Sequence, residues 1–264
     1  MKPDNDADNV LRIARSFVDA RRAGQALPDY PGEMPVSLDD AYAVQDAALD
    51  LTHRAVAGWK VGKINPPIDG IDRLAGPIFV DQVVVANGAA IAMDVFADGF
   101  AAAEAEFLLR VGAAPDPAKT HYTMDEARDL IDAVHVGIEI ASSPFPGINQ
   151  HGPGVTISDF GNNNGLIVGA AIADWRGVDL DAWPVELWIE DEQAGAATTA
   201  TMLDGPFGAA RFLFELMAAR GIALTPGQWI STGAVTGVHP VRIGDRVAAR
   251  FDGRLTVDCV IKAR

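Results

Sequence analysis

From Gly58 to the last residue, the chain is a succession of short apolar runs rich in β-branched side chains, each bounded by Gly, Pro, Asn or Asp. Runs of this kind are typical of β-strands. Two segments with helical spacing interrupt them, at residues 123–134 and 205–221. Because strands and helices do not alternate regularly, the pattern favours a mixed or antiparallel β core over a doubly wound parallel sheet.

The first 57 residues differ, with apolar residues at helical spacing in two stretches. The second stretch begins at Ser37, a typical helix N-cap, and Asp40 completes a capping box with Asp in place of Glu. The predicted fold class is therefore α+β. It has an N-terminal helical segment at residues 1–57 and a mixed β catalytic domain at residues 58–264.

The chain is strongly acidic, with 36 Asp and Glu against 21 Lys and Arg and a formal net charge of −15. Binding to nucleic acid or to an anionic membrane depends on clustered basic residues, so the composition argues against both partners. The first ten residues, MKPDNDADNV, lack the basic region and apolar run of a signal peptide. The sequence has no stretch of about 18 consecutive apolar residues, the length that a membrane-spanning helix needs. We therefore expect a soluble, cytoplasmic protein.

Cys259 is the only cysteine, which excludes an intramolecular disulfide and fits a reducing compartment. It lies in the alternating stretch LTVDCVIKAR, which predicts a terminal strand. A buried structural thiol is favoured there over a nucleophile.

Two glutamates, Glu104 and Glu106, lie one residue apart in the apolar stretch AAEAEFLLRV. The alanines favour a helix, whereas the run from Phe107 to Val111 favours a strand that ends at a glycine. On a strand the two glutamates share one face, where two carboxylates repel each other and raise one pKa. Hard divalent cations such as Mg²⁺ or Mn²⁺ relieve that conflict. The alternative is a solvated strand face.

A third carboxylate, Glu139, lies between two isoleucines in the run AVHVGIEIASS. On a strand it shares a face with Gly137 and His135. A carboxylate in such surroundings is unusual for a surface position, and it would complete a three-oxygen metal site. For His135, a core or rim position is favoured over a ligand role.

Lys60 lies between Trp59 and Val61 in the short stretch GWKVGK. Aromatic surroundings and a nearby metal would lower the pKa of this lysine and allow it to transfer protons. The alternative is a solvated lysine on a strand.

Eight motifs carry a resemblance to a known family. In chain order they are DAYAVQ, GWKVG, GPIFVD, EAEFLLRV, IEIASS, NGLIVG, ISTGA and PVRIGDRVAARFDG. Together they resemble the 2-keto-4-pentenoate hydratase family of the fumarylacetoacetate hydrolase-like superfamily. The similarity runs from about residue 8 to the last residue, and its specificity lies in the order of the motifs.

The resemblance implies a mixed β-roll or sandwich core with an N-terminal helical segment, in a homo-oligomer. It implies a Mg²⁺ or Mn²⁺ ion held by Glu104, Glu106 and Glu139, and a small-molecule 2-oxo acid as substrate. The family's proton-transfer residues fall on Lys60 and Asp81.

The resemblance also implies substrate-binding residues. Thr232 and Gly233 match a stretch near the bound acid, where a hydroxyl and a backbone N–H can hold a carboxylate, although an ordinary β-turn is equally compatible with the pattern. Asn162 stands where the family has a serine, in DFGNNNG, and can bind a carboxylate or water. The chain departs from the family at Ser143, where an arginine is usual.

The activity expected from the resemblance is hydration of a 2-hydroxyalka-2,4-dienoate to a 4-hydroxy-2-oxo acid, in aromatic catabolism. The alternatives are a 2-oxo-3-enedioate decarboxylase, an acylpyruvate hydrolase and a catalytically idle metal-binding relative. The hydrolases carry a histidine on an early lid segment, whereas His53 here lies in a predicted helix.

Overall fold

A computed structural model describes residues 3–264. Residues 1 and 2 lie outside the described residues; they belong to the predicted helical segment and to the first ten residues, which lack signal-peptide features. The helices are α1 (Pro3–Ala23), α2 (Leu38–Thr52), α3 (Met124–Asp129), α4 (Pro153–Ser158) and α5 (Gly205–Ala219). The strands are β1 (Val56–Ile68), β2 (Ile71–Phe79), β3 (Val83–Val85), β4 (Ala92–Val95), β5 (Phe100–Val111), β6 (Ile131–Ser143), β7 (Asn163–Ala171), β8 (Val185–Ile189), β9 (Glu192–Ala197), β10 (Trp229–Ser231), β11 (His239–Pro240), β12 (Arg246–Phe251) and β13 (Leu255–Ala263).

The strands form two mixed sheets. The larger has the order β2-β1-β10-β5-β6-β7-β3, with β11 paired to β5, and the smaller has the order β4-β13-β12-β8-β9. Most pairs are antiparallel, but β1–β10, β3–β7 and β4–β13 are parallel. The predicted α+β class with a mixed β core is confirmed.

The hydrophobic core lies between the two sheets and under α5. Alternation along β5 directs Ala105, Phe107 and Leu109 into this core, where the Phe107 ring lies 5.4 Å from that of Phe251 on β12. Burying this face stabilises the packed sheets. The opposite face of β5 is left for the glutamates.

The N-terminal helices pack against the β structure through a second apolar cluster. In it, Phe17 of α1 and Val44 of α2 contact a surface that includes Phe79 and Phe160. The predicted capping box at Ser37 is present. The helices end at Thr52 and β1 begins at Val56, while the division into domains at residue 57 stays a prediction.

One local prediction needs correction. The helix predicted over 123–134 is capped by Thr123 but ends at Asp129, because the chain from Ile131 pairs with β5 and enters the core.

Cys259 lies on β13 and is buried, as predicted, and burial raises the pKa of its thiol to about 12. Within residues 3–264, none of the helices combines the length and the apolar character that crossing a membrane requires.

Candidate active site

Strand register brings the three predicted carboxylates together. In the antiparallel pair β5–β6, Glu104 lies opposite Glu139, and Glu106 lies opposite Gly137. Opposite residues share a face of the sheet, so all three side chains project on the side away from the main core. The three side chains are buried, and an oxygen atom from each lies within 4.8 Å of the others.

Strands β7 and β10 and the segment that follows β10 supply hydrogen-bond donors to this cluster. Glu106 Oε2 accepts from the Ser231 hydroxyl and from the backbone N–H of Gly233, the latter at 3.0 Å. Glu139 Oε1 accepts from Asn163 Nδ2 at 2.9 Å. Glu106 Oε1 is also buried, but it has no hydrogen-bond partner in the described part of the chain.

Lys60 lies beside the carboxylates because β1 runs parallel to β10, with Lys60 opposite Ser231. Its Nζ is 3.3 Å from Glu139 Oε1, and the side chain is buried. Burial alone would lower the pKa of Lys60, but the charges of the three glutamates outweigh it and raise that pKa. The lowered pKa expected from the sequence assumed a nearby metal, and it stays a prediction for the metal-bound protein.

If all three carboxylates were ionised, they would carry more negative charge than one lysine can balance. Burial, reinforced by the charge of Glu139 and opposed by that of Lys60, raises the pKa of Glu104 to about 7. Burial and the two other carboxylates raise the pKa of Glu106 well above its usual value. A divalent cation fits this cluster, since it offers three hard oxygen ligands, an unpartnered carboxylate oxygen and, when all three carboxylates are ionised, an excess of two negative charges over Lys60.

A cavity of about 910 Å³, here called the site cavity, opens beside the cluster. Its polar inner end includes Lys60, Glu104, Asn162, Thr232 and Gly233. Lys60 and Glu104 thus face the space where a small molecule can bind, whereas Glu106 and Glu139 lie beneath them.

Asn162 ends a turn of unusual conformation. Phe160, Gly161 and Asn162 have φ angles of 53°, 65° and 66°, three consecutive residues in the left-handed region that is costly for residues other than glycine. Gly76 permits this turn, because a Cβ at that position would lie 2.2 Å from the Phe160 carbonyl oxygen. The turn leaves Asn162 Oδ1 buried at the cavity without a hydrogen-bond partner among the described residues.

Arg21, which the sequence analysis missed, ties α1 to this turn. Its Nε is 2.5 Å from Asp159 Oδ1 and its Nη2 is 2.9 Å from Asp159 Oδ2, and both side chains are buried. Ser143 Oγ donates to the same carboxylate at 2.6 Å. The sequence offers one sign that Arg21 is buried: it lies four positions after Phe17, which places a charged residue on the apolar face of α1.

Asp81 is the predicted site residue that the structure does not bring to the cluster. Its side chain is 68% exposed and accepts from Arg54 Nη2 at 2.6 Å, and it does not line the site cavity. The chain turns just after Phe79, which is buried, and this turn carries Asp81 to the surface. We therefore leave Asp81 out of the proposed proton-transfer residues.

Thr232 and Gly233 line the cavity, but their donors are engaged within the protein. The Thr232 hydroxyl donates to the Phe107 carbonyl at 2.8 Å, and the Gly233 N–H donates to Glu106. Gly233 has a φ of 105°, a conformation that favours glycine. The structure thus gives Gly233 a supporting contact with a carboxylate of the cluster.

His135 lies apart from the carboxylates. Its Nδ1 is 2.9 Å from the Gly169 carbonyl oxygen, and its ring packs edge-on against Trp229. This is the rim position that the sequence pattern favoured over a ligand role.

No protein-family model matches the chain. Over 247 residues it is 24% identical to the 2-keto-4-pentenoate hydratase of Paraburkholderia xenovorans (strain LB400), covering 91% of this chain and 90% of that protein. The resemblance predicted from the ordered motifs is confirmed. A second relative, the 4-oxalocrotonate decarboxylase of Pseudomonas sp. (strain CF600), is 28% identical over 101 residues, 38% of each chain.

Solved structures share the fold. The 4-oxalocrotonate decarboxylase of Pseudomonas putida G7, complexed with magnesium and adipate, superposes with a TM-score of 0.80 at 21% identity, over 96% of this chain and 97% of that one. Fumarylpyruvate hydrolase from Pseudomonas aeruginosa, in complex with Mn²⁺ and pyruvate, gives a TM-score of 0.60 at 14% identity, over 80% and 91% of the two chains. The predicted fumarylacetoacetate hydrolase-like fold is confirmed.

Proposed function

We propose that the protein is a metal-dependent hydratase that adds water to a 2-hydroxyalka-2,4-dienoate and gives a 4-hydroxy-2-oxo acid. The observation that carries the proposal is the buried group of three carboxylates with Lys60 beside it, at the polar end of the site cavity. The hydratase relative, similar over 91% of this chain, supports hydration as the reaction.

The proposed ligands of the cation are Glu104, Glu106 and Glu139. When bound, Mg²⁺ or Mn²⁺ supplies a Lewis acid that stabilises negative charge on the 2-oxygen of a 2-oxo acid. The protein's part is to hold the carboxylates in place. Ser231 and Gly233 orient Glu106, and Asn163 orients Glu139.

Lys60 is the proposed proton carrier. In the reaction the 2-hydroxyl loses its proton, C5 gains one, the oxygen of water bonds to C4, and a proton from water ends on C3. Lys60 lines the cavity and its Nζ contacts Glu139 Oε1. A cation bound by the glutamates would offset the charges that raise the pKa of Lys60, so that Nζ can donate and accept protons beside the substrate. Asn162 Oδ1 is the proposed acceptor for the attacking water, because it is buried at the cavity and unpartnered among the described residues.

Decarboxylation of a 2-oxo-3-enedioate is the second candidate, supported by the decarboxylase relative that matches 38% of the chain. A hydrolase is less well supported, because no histidine lines the site cavity among residues 3–264. If the protein is a catalytically idle relative, the same assay detects neither hydration nor decarboxylation.

The test is an assay of purified protein with Mg²⁺ or Mn²⁺ on 2-hydroxypenta-2,4-dienoate, following loss of dienol absorbance and formation of the 4-hydroxy-2-oxo acid. Release of CO₂ from an oxo-enedioate is measured in parallel. We expect hydration that Glu106→Gln abolishes together with tight metal binding, whereas the exposed Glu192→Gln control retains both. Hydration that survives Glu106→Gln would refute the assignment of the site.

The cytoplasmic location, the homo-oligomeric state and the absence of nucleic-acid and membrane partners stay predictions. Size-exclusion chromatography with light scattering measures the oligomeric state directly.

A further inference from the structure

The site cavity changes character from its inner to its outer end. The inner end is polar and charged, as described above. The cavity also has aliphatic lining from β1, β2 and the segments that follow β9 and β10: Ile64, Leu74, Met202, Leu203, Val235 and Val238. Of these, Leu203 and Val238 are exposed and lie at its mouth. A ligand held at the carboxylates by its polar head would extend its other end between these side chains.

Exposed apolar side chains continue this lining at the cavity mouth. Val238 is 48% exposed, Leu203 is 44% exposed and Ile68 is 37% exposed, and all three line the cavity. Large aliphatic side chains at one opening, leading to a polar floor, form a gradient that suits an amphiphilic ligand.

Apart from Lys60, the basic groups that line the cavity give a second carboxylate little to bind. Arg73 lines the cavity, but its guanidinium already contacts Asp204 and lies 3.1 Å from Asp72. Among the described residues, Lys63 is the one other lysine or arginine that lines the cavity besides Lys60 and Arg73, and it is exposed. An exposed lysine contributes little to the binding of an anion in water.

The cavity is also large for a five-carbon acid. Cavities of roughly 300–1,000 Å³ hold drug-sized ligands, and this one measures about 910 Å³. A short substrate would leave most of the aliphatic wall in contact with water.

We propose that the substrate is a 2-hydroxydienoate, or its 2-oxo tautomer, with an apolar alkyl or aryl substituent at the end distant from the carboxylate. This inference rests on the proposed function for the position of the polar head. Met202, Leu203 and Val238 are the specificity-determining residues, and they select against a distal carboxylate.

Calorimetric titration of the Mg²⁺-loaded protein with saturated 2-oxo acids tests the inference without requiring turnover. The probes are 2-oxopentanoate, 2-oxooctanoate and 2-oxoheptanedioate. Burial of one methylene strengthens binding about fourfold, so we expect 2-oxooctanoate to bind at least about tenfold more tightly than 2-oxopentanoate. We expect 2-oxoheptanedioate to bind more weakly than 2-oxooctanoate.

Val238→Asp places a charge at the mouth, and Val238→Thr is its control of matched shape. We expect the aspartate variant to lose at least about fivefold in affinity for 2-oxooctanoate and to keep its affinity for 2-oxopentanoate within about twofold. Leu203→Asn, at a second exposed position, is expected to act in the same direction.

Equal affinities across chain length, or tighter binding of the dicarboxylate, would overturn the inference. If chain-length selectivity appears but no dienoate is hydrated, the proposed hydratase activity fails and the apolar subsite stands. If 2-hydroxypenta-2,4-dienoate is hydrated while affinity does not depend on chain length, the apolar subsite fails and the proposed hydratase activity stands.

Discussion

Removing the Arg21 guanidinium should destabilise the protein strongly, because its partner Asp159 is fully buried. In Arg21→Met, Asp159 loses the contacts from Nε at 2.5 Å and from Nη2 at 2.9 Å and keeps the one from Ser143 Oγ at 2.6 Å. Removing one partner of a buried ion pair costs about 3–5 kcal/mol. Because Ser143 still donates, we expect the lower part of that range, about 3 kcal/mol in the free energy of unfolding.

Urea unfolding followed by far-ultraviolet circular dichroism and by tryptophan fluorescence measures the change. Arg22→Met is the matched control, since Arg22 follows Arg21 on α1 but its side chain is 56% exposed, and it should cost less than about 1 kcal/mol. Adding Asp159→Asn to Arg21→Met removes the uncompensated charge and should restore part of the lost stability. A loss below about 1 kcal/mol for Arg21→Met, or a double variant less stable than that single one, would refute the reasoning.

Three further predictions concern the site itself. Lys60→Met should lower kcat at least about 100-fold. Asp81→Asn should leave steady-state kinetics unchanged within about twofold, since Asp81 is exposed and outside the cavity. A large loss of kcat in Asp81→Asn would return that residue to the mechanism. The pKa of Glu104 is raised to about 7 in the folded protein against 4.5 when exposed, so the folded state holds the extra proton between these values. In thermal unfolding, the metal-free protein should therefore lose stability as pH rises from about 4.5 to about 7, and Glu104→Gln should reduce this dependence of stability on pH. Mg²⁺ should stabilise the protein more at pH 8 than at pH 5. Gly233→Ala should weaken Mg²⁺ affinity at least about tenfold, because the left-handed backbone at this residue directs its N–H to Glu106; unchanged affinity in a titration would show that this hydrogen bond does not position the ligand.

The carboxylate cluster was largely predictable because it depends on strand periodicity. The alternation that places Glu104 and Glu106 on one face is local, and it holds in β5. The pairing of Glu139 opposite Glu104 depends on the register between two strands, which a single sequence does not specify. The predicted triad therefore rested on the motif resemblance as well as on the pattern.

The features that sequence patterns do not predict depend on tertiary surroundings. The pKa of Lys60 follows from the sum of burial and three nearby charges, and the sign of that sum is set by distances. Asp81 lies two residues after Phe79, the last residue of β2, which is buried, and only the turn that follows shows that the chain leaves toward solvent. Tertiary surroundings also shorten α3, because the pairing of Ile131 with Val111 overrides the helical spacing of the sequence.

Residues far apart in the chain complete the site, which has a consequence for synthesis on the ribosome. The donors to Glu106 are the Ser231 hydroxyl, 125 residues later, and the Gly233 N–H, 127 residues later. The strand that carries Ser231 also separates β1 from β5 in the sheet. A nascent chain that has released β5 and β6 but not β10 therefore has neither these hydrogen bonds nor the ordered position of Lys60. Tight cation binding should thus appear only after nearly the whole chain has been made, and it can serve as a marker that the central sheet has closed.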